Sequence, residues 1–295
     1  MQAMILAAGF GTRLLPHTQI RPKPLFPIVN QPLLLLIIKR LQNLGFDHII
    51  VNCHHLRQQI VVALQGMKGV VVQEEERILG TGGGLRRALA LMHDEPLLIC
   101  NGDIYHTVDL LDLYQWHCAG GRPVTLALHD FPRFNSLQVA DGKIVRFTGL
   151  VDFSCLAFTG LHVIDPVILK GIADGEYSCI IDHYRGIVEK GVEIACYRTD
   201  GSFWTDMGTP DDYLLLHQGL LTGTIPAWEE IGTLRRPFCV DHKARLGRQV
   251  TMRDWVSLGC ANIGDGCQLQ RVVVWDDVVI ADGSRLAQTI ISSNY

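Results

Sequence analysis

Short apolar runs alternate with segments of helical period through the first half of this chain. The runs Ala3–Ala8, His48–Cys53, Val70–Gln73, Pro96–Cys100 and Val124–Leu128 predict strands buried on both faces. Between them, Leu33–Leu44 predicts a helix that Gly45 could end, and Leu56–Leu64, Leu85–Met92 and Leu110–Cys118 continue the series. The β-α-β-α-β order predicts a Rossmann-like α/β fold, a mixed sheet flanked by helices, whose ligands bind beyond the carboxyl ends of the strands. Ser136–Ala140 and Lys143–Phe147 flank Asp141-Gly142, a hairpin turn. Phe158–Ile164 then returns to the sheet, Cys179–Lys190 reads as a helix and Glu193–Tyr197 as a strand. Asp211-Asp212-Tyr213 opens a further helix.

From about residue 240 the period changes. Apolar residues recur at Val240, Leu246, Met252, Leu258, Ile263, Leu269, Val274, Ile280 and Leu286, with glycine following Leu246, Leu258 and Ile263. The spacing is six, occasionally five, and it predicts a parallel β-helix of about three coils. The expected organisation is an α/β domain over residues 1–222, a linker over 223–239 and the β-helix over 240–295. An open β-helix end is a ladder of unpaired backbone groups, so a second subunit is expected to cover it and make a homo-oligomer.

Bulk properties narrow the partners. A chain of 295 residues, 48% hydrophobic, is long enough for one large and one small core. The formal charge of −4 supplies no basic field for nucleic acid. The densest apolar stretch, Leu33–Ile38, runs straight into Lys39 and Arg40, far short of a membrane span. The first apolar run passes directly into a glycine loop and reads as a buried strand rather than a signal peptide. Nine scattered cysteines without a C-x-x-C pair suit reduced thiols in a cytoplasmic protein better than disulfides or zinc.

Two predicted strands end in chemistry. Met4–Ala8 leads into Gly9-Phe10-Gly11-Thr12-Arg13-Leu14, and Pro22-Lys23-Pro24-Leu25 follows shortly after. Glycines let backbone N–H groups approach an anion, and two fixed cations add charge. Leu6, Ala7, Ala8, Gly9, Gly11 and Thr12 therefore form a candidate triphosphate cradle beside Arg13 and Lys23. The run Pro96–Cys100 ends in Asn101-Gly102-Asp103, at the same edge of the expected sheet.

Gly9-x-Gly11-Thr12-Arg13-Leu14-x-Pro16-x-Thr18, followed by Pro22-Lys23-Pro24-Leu25-x-Pro27, resembles the opening of the sugar-1-phosphate nucleotidyltransferases. These enzymes make nucleoside diphosphate sugars from a nucleoside triphosphate and a sugar 1-phosphate. The resemblance recurs at Leu79–Leu85, at Phe158-Thr159-Gly160-Leu161 and at Trp204-Thr205-Asp206-Met207-Gly208-Thr209-Pro210, which looks like the family's W-x-D-x-G-T-P motif. It implies that Arg13 holds the leaving pyrophosphate and that Lys23 places charge on the α-phosphate. Gly80, Thr81, Gly82 and Gly83 would lie along the nucleobase and ribose. Gly160 would let the sugar approach, with Asn101 and Asp206 at the sugar phosphate. Gln73, or the glutamates at 74 to 76, are candidates for the base edge. Asp103 and Asp206 together suit Mg²⁺, a hard cation that takes oxygen ligands.

The implied reaction is Mg²⁺-dependent in-line attack by the sugar-phosphate oxygen on the α-phosphorus of GTP or UTP, without a covalent enzyme intermediate. One departure stands out. Relatives carry Glu-Lys-Pro ahead of the Phe-Thr-Gly strand, whereas this chain has Phe147-Thr148-Gly149. An expected cation is gone, and His162, His183, Arg185 or Arg133 could replace it. His54-His55 read as loop residues. The tail resembles the short left-handed parallel β-helix found after the catalytic domain in several nucleotidyltransferases, and with Gly80-Thr81-Gly82-Gly83 it leans toward guanylyltransferases of mannose or heptose 1-phosphates. The missing Glu-Lys-Pro leans toward uridylyltransferases of N-acetylmuramic acid 1-phosphate, and both stay open. The alternative is a catalytically silent, nucleotide-sugar-binding scaffold, against which Arg13, Lys23, Asp103 and Asp206 all speak.

Overall fold

A computed structural model describes residues 1–152 and 154–294; Tyr295, the last residue of the expected β-helix, lies outside them. The chain divides into two compact units, Met1–Gly9 with Arg40–Trp204, and Phe10–Lys39 with Thr205 onward.

The first unit is built on a nine-stranded mixed sheet. Its strands are β1 (Gln2–Leu6), β2 (His48–Cys53), β3 (Val70–Glu74), β4 (Leu97–Asn101), β5 (Val124–His129), β6 (Leu137–Ala140), β7 (Lys143–Phe147), β8 (Ala157–Ile164) and β9 (Ile194–Arg198). Their order across the sheet is β3-β2-β1-β4-β8-β5-β9-β7-β6. Strands β1 to β4 run parallel; the helix Arg57–Leu64 lies between β2 and β3, and the helix Gly80–Ala88 between β3 and β4. β8 returns antiparallel between β4 and β5, which makes the sheet mixed. Met4, Ile50, Ile99, Leu126, Ile164 and Ile194 pack with Leu85, Ala88, Ile180 and Tyr184 of the covering helices. Each large aliphatic side chain buried there contributes about 1.5–3 kcal/mol. That burial holds the carboxyl edge of β1 to β4 in fixed register.

Two local readings are corrected. β1 stops at Leu6, its last paired residue, so Ala7 and Ala8 begin the loop. The helix expected over Leu85–Met92 instead spans Gly80–Ala88, with a 3₁₀ turn over Leu89–Leu91. Glycine disfavours helix by propensity, but here packing overrides it. A Cβ on Gly82 would lie 2.8 Å from Ser178 Oγ, and one on Gly83 would collide with the Glu176 carbonyl.

In the second unit, Phe238–Val240, Thr251–Leu258, Gln268–Val274 and Arg285–Ile291 form one parallel sheet. Arg245–Leu246, Asn262–Ile263 and Val279–Ile280 form another. Thr251, Gln268 and Arg285 share one register position, a step of 17 residues per coil. Left-handed backbone at Gln249, Gly266 and Gly283, and at Asp254, Arg271 and Gln288, turns each coil at the same places. The apolar spacing of six or five residues in the sequence is thus one side of a coil in a parallel β-helix.

The helix Pro210–Thr222 and the 3₁₀ turn Glu229–Ile231 belong with the β-helix, as does Phe10–Lys39. Asn30 ties this segment down, donating to the Leu258 carbonyl at 2.8 Å and accepting from Ser257 Oγ at 2.9 Å. Among the described residues no helix is long and apolar enough to cross a membrane.

His217, on the Pro210–Thr222 helix, is fully buried, and burial lowers its pKa from 6.5 to about 4. Its Nε2 accepts the Val29 N–H at 3.2 Å, so the proton sits on Nδ1, which donates to the Tyr213 carbonyl at 3.0 Å. Protonating Nε2 would break the Val29 bond. The unfolded chain binds this proton and the folded chain does not between pH 6.5 and about 4. The contribution is therefore complete above pH 6.5 and lost as pH falls, on the order of 3 kcal/mol across that window. Urea unfolding of His217→Gln from pH 7 to 4 should show a shallower acid slope than wild type. Equal slopes would remove His217 from the account.

Candidate active site

Arg13, Lys23 and Asp206 meet within the second unit, and glycine is the reason they can. Gly11 has φ +63°, and a Cβ there would lie 2.9 Å from Thr18 Cγ2 and 3.4 Å from Lys23 Cβ. The loop therefore packs directly on the Pro22-Lys23-Pro24 turn. Lys23 is only 5% exposed, and its Nζ donates to the Asp206 carbonyl at 2.7 Å. Arg13 Nη2 donates to Asp206 Oδ2 at 3.2 Å. Its own side chain is more than half exposed, so the pair is partly screened by water and its guanidinium is open to an anion.

The W-x-D-x-G-T-P segment follows the same logic. Asp206 Oδ1 accepts the Gly208 N–H at 3.1 Å, across Met207, which holds a left-handed φ of 44°. For a non-glycine residue that conformation is strained and persists only where its surroundings over-determine it. A Cβ on Gly208 would lie 2.5 Å from Arg13 Nη1, so glycine leaves the guanidinium its route to the carboxylate. Thr209 then caps the helix Pro210–Thr222, its Oγ1 accepting from the Asp212 N–H at 3.1 Å, with Pro210 in the first turn.

The first unit presents a row of residues across the ends of four parallel strands. Gln73 on β3 pairs with Asn52 on β2, Asn52 with Leu6 on β1, and Leu6 with Asn101 on β4. Ala7, the first loop residue, donates its N–H to Asn52 Oδ1 at 2.8 Å. Gly102 donates to the Leu6 carbonyl at 2.8 Å, which sets Asp103 just past this edge. Gly160, at an irregularity in the β8–β5 pairing with φ +79°, faces Asn101; a Cβ there would lie 2.5 Å from Asn101 Nδ2. The Trp204 indole fixes the neighbouring backbone by donating to the Thr159 carbonyl at 2.7 Å.

Other sequence candidates take different places. The Gly82 and Gly83 N–H groups donate to the Ser178 carbonyl at 2.8 and 3.3 Å, and Thr81 Oγ1 accepts the Ile180 N–H at 3.0 Å. Gly80 adopts φ +71° at the head of that helix. His162 is no replacement cation: it is fully buried against Tyr184, and burial lowers its pKa to about 3. Burial also lowers the pKa of His183, which contacts the Ile168 carbonyl, and Arg185 pairs with Asp182 at 2.8 Å. Arg133 lies over the Phe134 ring, in the aromatic group of Phe131, Phe134 and Trp204. His54 contacts the Glu75 carbonyl oxygen at 2.9 Å. Glu75 is not on the surface with Glu74 and Glu76 but fully buried.

Sequence reasoning passed over Asn52 and did not separate Glu75 from Glu74 and Glu76 as a candidate for the base edge. The signals were a lone amide inside the apolar run His48–Cys53 and the strand alternation of Gln73, Glu74 and Glu75, which puts the first and third on one face. Asp103 belongs to the first unit and Asp206 to the second. Among the described residues no group of three or more His, Cys, Asp or Glu side chains could hold a metal ion. Mg²⁺ asks for less, since it uses one or two carboxylates and completes its octahedron with phosphates and water.

Comparison with known proteins places these features in context. A family model described as nucleotidyl transferase matches residues 2–134. The N-acetylmuramate alpha-1-phosphate uridylyltransferase of Neisseria meningitidis is 31% identical, over 71% of this chain and 94% of that protein. The UTP–glucose-1-phosphate uridylyltransferase of Synechocystis is 28% identical, over 97% of this chain and 84% of that one. A Bacillus anthracis crystal structure described as a glucose-1-phosphate thymidylyltransferase superposes with a TM-score of 0.67 at 19% identity, covering 78% of this chain and 98% of the other. At that identity the likeness speaks for the fold.

Proposed function

Because this chain belongs to the nucleotidyl transferase family, we propose that it transfers a nucleotidyl group from UTP or GTP to a sugar 1-phosphate, in a Mg²⁺-dependent reaction that releases pyrophosphate. The observation that carries this reading is the tie of both cations, Arg13 and Lys23, to Asp206. The acceptor phosphate is already ionised at neutral pH, so its oxygen attacks the α-phosphorus without a general base. The work left to the protein is to align the reactants and offset charge as the α-phosphorus gains its fifth oxygen. Lys23, buried and held by the Asp206 carbonyl, offers a preorganised cation for the α-phosphate. Arg13 offers its exposed guanidinium to the leaving pyrophosphate. The loop Leu6–Thr12 receives the triphosphate, Gln73 faces the base, and Asn101 with Gly160 receives the acceptor.

Asp103 and Asp206 are hard oxygen donors of the kind Mg²⁺ takes, and the ion would neutralise charge on the phosphates. The test is pyrophosphate release from UTP or GTP with glucose, mannose or N-acetylmuramic acid 1-phosphate. Release should stop on chelation and fall at least about 100-fold in Asp103→Asn and in Asp206→Asn, with the fold retained. No release from any pair would favour a silent binding subunit instead.

A further inference from the structure

Arg13 rides on an exposed stretch of the second unit. Thr12, Leu15, Pro16, Gln19 and Ile20 around it are all exposed, and the Arg13–Asp206 pair is itself screened by water. An ion pair of that kind contributes little to holding a loop in place. The anchors lie further along the segment. Leu14 and Thr18 are buried, and Thr18 packs on Gly11, whose φ of +63° shapes the loop. Two side chains four residues apart, His17 and Arg21, then land together on the β-helix. The His17 Nδ1 lies 2.7 Å from Ser292 Oγ, and its ring lies against Trp275 with centroids 5.9 Å apart. The Arg21 guanidinium covers the Trp275 ring at 4.9 Å, with Nη1 4.0 Å from Asp276 Oδ2.

The β-helix is firm where these contacts fall. Ser292 directly follows the strand Arg285–Ile291. The Ile291 carbonyl accepts the Trp275 N–H at 2.9 Å, and Asn294 Oδ1 accepts the Val279 N–H at 3.0 Å. The chain on both sides of Ser292 is thus tied to the preceding coil. Asp276 is fixed as well, its Oδ1 accepting the Cys260 N–H at 2.8 Å. Burial lowers the His17 pKa, which leaves the ring neutral at pH 7 with one N–H and one bare nitrogen. A hydroxyl can accept from the first or donate to the second, so Ser292 bonds Nδ1 in either tautomer.

We infer that His17 is a positioning residue: through Ser292 it docks the loop that carries Arg13 onto the coil ending at Ile291, and so sets where the guanidinium meets the leaving pyrophosphate. The inference rests on the nucleotidyl transfer proposed above and adds the C-terminal coil to the parts that reaction needs. Misplacing a charge donor slows a reaction without removing any group that touches substrate. Arg13 itself stays present and paired with Asp206 when the docking bond is cut.

The test compares Ser292→Ala, Ser292→Thr, His17→Leu and the double variant Ser292→Ala with His17→Leu, all in the full chain. Ser292→Ala and His17→Leu should each lower kcat for pyrophosphate release about three- to tenfold, the worth of one hydrogen bond. The KM for the sugar 1-phosphate should hold, because Asn101 and Gly160 belong to the first unit. Trypsin supplies a second readout that needs no activity. Arg21 and Lys23 each precede a proline, which blocks trypsin, so the Arg13–Leu14 bond reports on the loop. Its cleavage should quicken by a similar factor in both single variants. Ser292→Thr keeps the hydroxyl and should restore both rates. The double variant should be no worse than either single one, because both remove the same bond. If His17→Leu does not fold, the two Ser292 variants decide alone. Wild-type kcat in Ser292→Ala, a loss that threonine does not restore, or losses that multiply in the double variant would each overturn the inference. A failure of the nucleotidyl reading looks different: wild type itself would release no pyrophosphate, and the positioning role would fall with it.

Discussion

Replacing Lys23 with methionine should lower the rate of pyrophosphate release by about 10²–10³-fold, the usual loss when one preorganised charge donor is taken from a transition state. Methionine keeps the length of the stem in a position only 5% exposed, so the packing against Gly11 survives. The charge and the bond to the Asp206 carbonyl are what is lost. Leaving that carbonyl unpaired costs about 1–3 kcal/mol of stability. The decisive contrast is therefore a large fall in kcat beside a modest shift in the urea midpoint. A midpoint that collapses along with turnover would make Lys23 a structural lysine. Turnover near wild type would remove it from the chemistry.

The largest expected effect on stability is at Trp275, in the β-helix. Its ring is 1% exposed and stands edge-on to Phe26 with centroids 4.7 Å apart. The Arg21 guanidinium lies 4.9 Å from its centroid, and its indole N–H donates to the Tyr213 hydroxyl at 3.3 Å. Tyr213 in turn donates to the Pro27 carbonyl. One side chain thus joins the β-helix, the helix Pro210–Thr222 and the segment that carries Arg13 and Lys23. Trp275→Ala should cost about 3–5 kcal/mol, because a cavity that size cannot close around a rigid coil. Urea unfolding followed by tyrosine fluorescence should show the lower midpoint, and turnover should fall with it as the cationic segment loosens. An unchanged midpoint would mean that the cluster does not hold this unit together.

Much of this was legible in one dimension. The apolar runs placed β1 to β5 to within a residue or two at most ends, because continuous aliphatic stretches of that length have few other stable uses. The spacing of six or five residues identified the β-helix, because each coil repeats the same inward positions. The glycine run at 80–84 misled, because propensity marks glycine as a helix breaker while the packing of Ser178 and Glu176 demanded it. Linear proximity likewise does not reveal that Phe26 and Asn30 pack with residues of the β-helix.

What the chain determined unaided was the set of chemical groups: two cations near a glycine loop, two distant aspartates and a glycine in a returning strand. Side-chain identity and short-range spacing are local properties, and local properties survive in a string of letters. Only the tertiary structure decided which groups meet and in what state. It put Lys23 on the Asp206 carbonyl, neutralised His162 by burial, and singled out Glu75 from two identical neighbours. Burial and hydrogen-bond partners depend on residues far away in sequence, and those are what set the charge and orientation of a side chain.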